Sequence, residues 1–379
     1  MYNKCNLRFF FVSVLLYLIT SVSAQQNGSN YEATLLTYSP GEAIYSTFGH
    51  SALRIINHTN GDDYIYNYGT FDFDEPGFFL KFAKGILPYR LSRLPAAFEL
   101  QQVQKENRSV TANKINLSDE ELQTLVSLLE ENYLPQNRSY LYDFFYDNCA
   151  TRILNIVDSA SKSRFVVMGT NYTPATFKKL ISPYLAPKPW AKLGAWLLMG
   201  NQAALEADFK ESAFLPDYLK VYLGSKVSDT GSPLLGYDKI IIAPGALVER
   251  ANIPDPQYVL GFLLLLFVFI RYTEHRNSME YKLADWFVFL PVFLFSLLVL
   301  FLTAISKQGI YQWNANLLWL LPFPLMKIFK AKKYYGLLKI IFFSGVVYCF
   351  IQASYCPSVV LLAAVISSRM FFNVRNPEA

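Results

Sequence analysis

"STFGHSALRIINHTNGDDYIYNYGTFDF", residues 46–73, decides the fold class. Two runs rich in β-branched, aliphatic and aromatic residues, Ser51–Ile56 and Tyr64–Phe71, flank "NHTNGDD", whose Asn60-Gly61 pair is hairpin-turn chemistry. The spacing predicts an antiparallel β-hairpin. His50 begins its first strand directly after Gly49, where a backbone lacking a Cβ lets another segment pass close by.

Working outward, "LSDEELQTLVSLLEENYL" (117–134) predicts an amphipathic helix. Ser118 is its N-cap with Glu121 three residues on, and Leu122, Leu125, Leu128 and Leu129 form its apolar stripe. Tyr140–Tyr146 reads as a short strand or extended approach. Asp147 or Asn148 then caps a helix over "CATRILNIVDSASK" (149–162), with Ile153, Leu154 and Val157 inward. Strands and helices so mixed predict an α+β domain. From Thr173 to Arg250, helical stretches broken by "SPYLAPKPW" and "FLPDYL" are expected to lie between this core and a membrane.

The membrane enters through hydropathy. The 379-residue chain has a mean hydropathy of +0.21, high for a soluble protein, and the apolar residues are unevenly spread. Residues 1–24 have a basic start (Lys4, Arg8), an apolar stretch Phe9–Ile19 and small residues ending Val22-Ser23-Ala24, the layout of a secretory signal peptide. An exported domain is expected over 25–253. Residues 254–379 carry apolar runs at Tyr258–Ile270, Trp286–Ile305, Leu317–Phe329, Leu337–Ile351 and Ser358–Phe372, which predict an all-α transmembrane domain of about five helices. Pro322 and Pro324 interrupt the third, which is expected to be broken or re-entrant. Arg271, Arg276, Lys282, Lys327, Lys330, Lys332, Lys333, Arg369 and Arg375 fall on one side of these runs, which puts the exported domain across the membrane from them. The net charge of +5 is largely this one-sided excess and gives no reason to expect nucleic-acid binding.

Cysteine arithmetic points to chemistry. Cys5 belongs to the signal peptide, and Cys349 and Cys356 to the fourth apolar run and the loop after it. Cys149 is the only cysteine of the exported domain. It can be a small buried apolar residue, half of a disulfide with Cys356, or a nucleophile. A position in the first turn of a helix favours the thiolate through free N–H groups and the positive end of the dipole. Asp147 opposes that shift, so a basic partner is needed. His58 reads as a solvated turn residue, which leaves His50 as the base of a Cys–His dyad. Asn67 and Tyr68 on the adjacent strand are both candidates to orient the imidazole. Arg152, one turn beyond the cysteine, can bind a phosphate or carboxylate, or form a salt bridge. Three scattered histidines give no metal-ligand spacing, and no Gly-rich loop or dinucleotide fingerprint is present, so no metal and no cofactor is expected.

A histidine on a hairpin strand preceding a cysteine that opens a later helix resembles the circularly permuted papain-like group that includes lecithin:retinol acyltransferase. "FGHSALRI", "YNYGTFDF", "FAKGILPYRL", "YDFFYDNCATRI", "FLPDYL" and "WNANLLWLLPFPL" together resemble the Bacteroides-type lipoprotein N-acyltransferase family, from about Glu32 to the C-terminus. The resemblance implies a permuted papain-like periplasmic domain and a five-helix domain in the bacterial inner membrane. It puts His50 and Cys149 in catalytic positions, and Asn148 and Arg152 at motif positions of unassigned role. It also implies transfer of an acyl chain from a phospholipid, through Cys149, to the α-amino group of a diacylglyceryl-cysteine lipoprotein. Lifting a chain of ~16 carbons out of lipid costs roughly 12 kcal/mol at about 0.8 kcal/mol per CH₂, so such an enzyme gains from sitting at the bilayer. The loop "IYQWNANLLW" (310–319), with Trp313 and Asn316, is placed to meet chains or headgroups, or is an ordinary interfacial aromatic belt. A membrane-tethered cysteine amidase or peptidase, and a non-catalytic envelope assembly protein with a buried Cys149, remain the alternatives.

Overall fold

The computed structural model describes residues 30–162, 164–245, 253–329, 334–353 and 356–370. The signal peptide expected at 1–24, and the basic residues Lys330, Lys332, Lys333 and Arg375, lie outside the described residues. The hairpin forms where the sequence puts it. Its strands join others into a seven-stranded antiparallel sheet built from β1 (Tyr31–Tyr38), β2 (His50–Asn57), β3 (Asp63–Thr70), β4 (Pro88–Pro95), β5 (Val110–Lys114), β6 (Ser139–Leu141) and β7 (Lys239–Ile242). The strand order is β7-β5-β1-β2-β3-β4-β6. Leu53 stands opposite Tyr66, and Tyr38 opposite His50.

Side chains alternate across a strand, and both faces of this sheet are covered. Between β3 and β4 a connection carries the short helix α1 (Phe78–Ala83). Leu36, Tyr38, Ala52 and Ile65 pack on one face with Ala96 and Val103 of α2 (Ala96–Lys105). Leu35, Leu53, Ile55, Tyr66 and Tyr68 pack on the other. There they meet α3 (Asp119–Tyr133), α4 (Cys149–Ala160) and α7 (Pro216–Gly224), through Leu125, Ile153, Val157 and Leu219. Burying each such side chain stabilises the fold by about 1.5–3 kcal/mol. The Ser118–Glu121 capping box of α3 is present, with Ser118 N–H donating to Glu121 at 2.7 Å.

The stretch 173–250, expected to lie between core and membrane, divides: α5 (Phe177–Leu185) and α6 (Pro189–Leu198) pack toward the C-terminal helices, whereas α7 and β7 belong to the sheet and its core, because their apolar residues complete it. Phe177, Leu193 and Trp196 share one apolar cluster with Leu260, Val299, Trp319 and Phe323 of the C-terminal region. That region comprises α8 (Pro256–Asn277), α9 (Lys282–Ile305), α10 (Leu317–Leu320), α11 (Pro322–Phe329), α12 (Tyr335–Ala353) and α13 (Pro357–Met370). Among the described residues, α8 and α9 are long and apolar enough to cross a bilayer. The third apolar run is broken into α10 and α11 at Leu321-Pro322, because a proline removes a backbone donor and clashes with the preceding turn.

Arg369, expected as a tail cation at the basic end, is instead fully buried. It donates to Glu274 at 2.9 Å from each of two nitrogens and to Asp285 at 2.7 Å, which ties α13 to α8 and α9.

Candidate functional site

The chain folds back on itself just before α4. Asp143 and Asp147 exchange two backbone hydrogen bonds of 3.0 Å, and Asp143 Oδ1 accepts from the N–H groups of Phe145 and Tyr146 at 2.9 Å. Asn148 then caps the helix in extended backbone. Its Oδ1 accepts from Ala150 N–H at 2.8 Å and Thr151 N–H at 3.0 Å, and Thr151 Oγ1 accepts from Asn148 N–H at 2.8 Å. The other end of the amide donates to Phe144 O at 2.8 Å and Phe214 O at 2.9 Å. Asn148 is therefore wholly engaged in holding the helix start in place. Cys149 follows as the first helical residue, buried and free of any disulfide; Cys349 and Cys356 are likewise free.

The thiol reaches the end of the sheet where β2 begins. Backbone N–H groups of Ser51, Ala150 and Cys149 itself point at the sulfur. A Cβ built on Gly69 would stand 3.9 Å from the Cβ of Cys149 and 3.6 Å from the Tyr142 ring, and its φ of 90° is one that L side chains rarely adopt. Glycine is what lets β3 run this close to the helix start. The pairing of β3 with β4 slips between Asn67 and Thr70, a bulge that re-aims the backbone at this point.

His50 adjoins Ser51, on the α2 face with Ala52 and Tyr38. Its ring centroid is 5.4 Å from that of Tyr38. His50 Nε2 lies 3.0 Å from Asn67 Oδ1. Because Oδ1 only accepts, the pairing assigns the proton to Nε2 and leaves Nδ1 with a bare lone pair. Asn67 in turn is hydrogen-bonded to Glu99 of α2, which sets the direction of its amide. Of the two candidate orienters, Asn67 is the one beside the ring. Tyr68 faces the other side of the sheet, where Asn132 Nδ2 donates to its hydroxyl at 3.1 Å and burial pushes it up to about 12. No hydrogen bond joins the His50 and Cys149 side chains among the described residues. They come to the same end of the sheet from its two faces.

Burial dominates the electrostatics. Desolvation, aided by the charge of Arg108 and opposed by the Asn67 hydrogen bond, lowers His50 to about 4. Desolvation also raises Cys149 above its ordinary value, against the N–H groups at the sulfur and Arg108. The thiolate expected from the helix start is therefore not the resting form. A helix end offers partial charges, and removing the thiol from water outweighs them here. Both groups rest neutral near pH 7.

Arg152 takes the salt-bridge alternative, with Nε and Nη2 2.6 and 2.8 Å from the Asp147 carboxylate and its guanidinium 3.5 Å over the Tyr140 ring. This pairing also neutralises the acid that sequence reasoning set against the thiolate. Trp313 is exposed, with a positive φ of 52°. Asn316 is fully buried, and its Nδ2 donates to Trp196 O at 2.9 Å, so it joins the loop to α6.

Three groups at the site carry no sequence signal. Tyr140 has a buried hydroxyl without a partner, 3.9 Å from the Cβ position of Gly69. Arg108 is buried with its Nη2 unpartnered. Gln308, just past the end of α9, donates from Nε2 to Tyr142 O at 3.4 Å, which brings the membrane part to the residue packed beside Cys149. Only tertiary contact reveals these. Among the described residues, no cluster of three or more His, Cys, Asp or Glu could hold a metal ion.

These features define a class: a mixed α/β domain with an antiparallel sheet, followed by and fastened to a helical membrane region. The family model described as the Lnb N-terminal periplasmic domain matches residues 21–182, and that described as the Lnb transmembrane domain matches residues 248–377. The chain belongs to the Lnb family, a family of lipoprotein N-acylation, with a periplasmic N-terminal domain and a transmembrane domain. No curated protein and no solved structure matches the chain.

Proposed function

We propose that this protein is a lipoprotein N-acyltransferase of the bacterial inner membrane, with Cys149 as nucleophile and His50 as base on a permuted papain-like domain. One observation carries the reading: His50 gives Nε2–H to Asn67 and keeps Nδ1 bare, beside the strand residue whose N–H meets the Cys149 sulfur.

Both groups start neutral, so the proton moves as the bond forms. His50 Nδ1 takes the thiol proton while sulfur attacks the ester carbonyl of a phospholipid. The tetrahedral oxyanion is held by the Cys149 N–H and the Tyr140 hydroxyl, donors that need no reorganisation. Collapse expels the lysophospholipid alkoxide, which takes the proton from His50 and leaves a thioester. The neutral α-amino group of a diacylglyceryl-cysteine lipoprotein then attacks, His50 accepts its proton, and the amide leaves as the thiol is restored. Catalytic hydrogen bonds are often long without substrate and tighten when it binds, so the His50–Cys149 contact closes in the substrate complex. The Gln308–Tyr142 contact supports a membrane donor, because it brings the bilayer end of α9 to the site.

The test is mass spectrometry of lipoprotein N-termini after incubation of a diacylglyceryl lipoprotein and phospholipid with the purified full-length protein. One added acyl group on the α-amine is expected, and none with Cys149→Ala. Release of free fatty acid or a cleaved peptide, with no N-acylation, would replace acyl transfer by hydrolysis.

A further inference from the structure

The connection between β3 and β4 carries a helix that buries nothing. None of the six residues of α1 is buried, although four of them are Phe78, Phe79, Leu80 and Phe82. Phe79 is 83% exposed, and Phe73, which touches Phe78, and Tyr45, which touches Phe73, are each 62% exposed. Water-facing apolar residues in this density mark a surface that something else covers.

Its position says what. Lys84, the residue after α1, accepts a backbone hydrogen bond from Lys307 N–H at 2.9 Å. A Cβ on Gly85 would stand 2.7 Å from Gln308 and 3.3 Å from Ser306 Oγ. These three residues immediately follow Ile305, the last of the 24-residue apolar helix α9. Six helical residues span about 9 Å, and the headgroup layer adds roughly 6 Å beyond the hydrocarbon on each side. The C-terminal end of α1 is therefore fixed beside the end of α9, within about one helix length of the bilayer boundary.

We infer that α1, with Phe73, is a lipid-inserted strap lying in the outer headgroup–acyl boundary of the membrane that α9 crosses. An amphipathic segment at that depth settles with its apolar side chains among the acyl chains. Lys81 is held by Glu75 at 2.5 Å, so its charge does not oppose insertion.

The strap also leads to the thiol. Phe78 lies 5.9 Å from Phe71 between ring centroids, Phe71 5.3 Å from Tyr89, and Tyr89 is stacked on Tyr142 at 4.5 Å. Tyr142 borders Gly69, which Cys149 and Tyr140 also adjoin. A line of contacting aromatic rings thus runs from the lipid-facing surface to the residue beside Cys149, an apolar surface suited to seat a hydrocarbon chain. This second part rests on the acyl-transfer reading; the insertion does not.

The experiment uses the full-length protein carrying Cys149→Ala, so that no chemistry is required. p-Benzoyl-phenylalanine replaces Phe79, or in a second protein Thr59, at the exposed turn joining the far ends of β2 and β3. Each is reconstituted in phosphatidylethanolamine–phosphatidylglycerol vesicles and irradiated, and the cross-linked peptide is read by mass spectrometry. A phospholipid adduct at position 79, at least tenfold over position 59, is expected. Equal labelling at the two sites, no lipid adduct at 79, or an adduct only with protein would each overturn the insertion. With Cys149 restored, Phe79→Asp is expected to lower acylation from vesicles at least tenfold while leaving turnover of a water-soluble short-chain thioester within about twofold. Equal losses on both substrates would remove the chain-seating role of the rings.

Discussion

Among the places where the described residues bury polar side chains, two treat them oppositely. At the basic end of the bundle, Arg369, Glu274, Asp285 and Arg271 satisfy one another, and the Tyr281 N–H fills a further acceptor on Glu274 at 2.7 Å. At the end of the sheet, Tyr38, Ser51, Arg108 and Tyr140 each bury a polar atom with no partner among the described residues, and His50 keeps a free lone pair. A satisfied network holds helices together. Unsatisfied groups cost about 1–3 kcal/mol each and persist where something else uses them. Single unpartnered atoms are also buried elsewhere, at Asn113 and Trp196, so what singles out this end of the sheet is the gathering of four such groups around a histidine and a cysteine.

That contrast can be broken experimentally, starting with the largest expected effect. Cys149→Ala should lower N-acyl transfer on the order of 10⁴-fold or more while leaving thermal stability unchanged, as measured by product mass and by a melting curve. A large loss of stability would move Cys149 to the structural side of the comparison. At the other pole, Arg369→Met strands two carboxylates and should cost about 3–5 kcal/mol of stability in a denaturant titration. Replacing Arg369, Glu274 and Asp285 together by apolar residues should recover most of it. If the single variant unfolds like the parent, the network is not what fastens the helices.

Smaller effects sharpen the site itself. Asn67→Ala should reduce kcat by roughly 10–100-fold, less than the 10²–10⁴ carried by a general base, because the ring loses its orientation and keeps its nitrogen. Glu99→Gln should cost only a few-fold, read in kcat rather than KM. Replacing the phospholipid donor by a water-soluble short-chain thioester, with no acceptor present, isolates the first half-reaction for a pH profile. His50 with its pKa lowered to about 4 is neutral above that pH and protonated below it. Activity should therefore persist through pH 5–6 and fall only as pH drops through about 4. A falling limb near pH 6.5 would mean a solvated imidazole.

Much of this was legible in the sequence where the signal is local. The hairpin predicted at Ser51–Ile56 and Tyr64–Phe71 differs from β2 and β3 by a residue or so at each end, because turn chemistry and alternation both act over short range. Ser118 with Glu121, and Asn148 before Cys149, announce helix starts for the same reason. The prolines of the third apolar run foretold the break between α10 and α11. What was not legible depends on distant chain. β1 lies beside β2 yet also needs β5 about 75 residues on, and β7 reaches β5 from well over 100 residues away. The raised pKa of the thiol follows from the elements stacked over it, which no spacing shows. Arg152 was left open between anion binding and a salt bridge, and only the turn geometry at Asp147 decides it. Arg369 looked like a cation of the basic tail because its carboxylate partners stand 95 and 84 residues away.

The central claim is that a neutral Cys149–His50 pair at the membrane surface carries the acyl group. Brief incubation of the full-length protein with phospholipid and no acceptor, followed by acid quench and peptide mass spectrometry, tests it most directly. One acyl group is expected on the Cys149 peptide, released by neutral hydroxylamine and absent from His50→Ala. N-acylation of added lipoprotein by a protein that never shows this adduct, or that works equally well without Cys149, would contradict it.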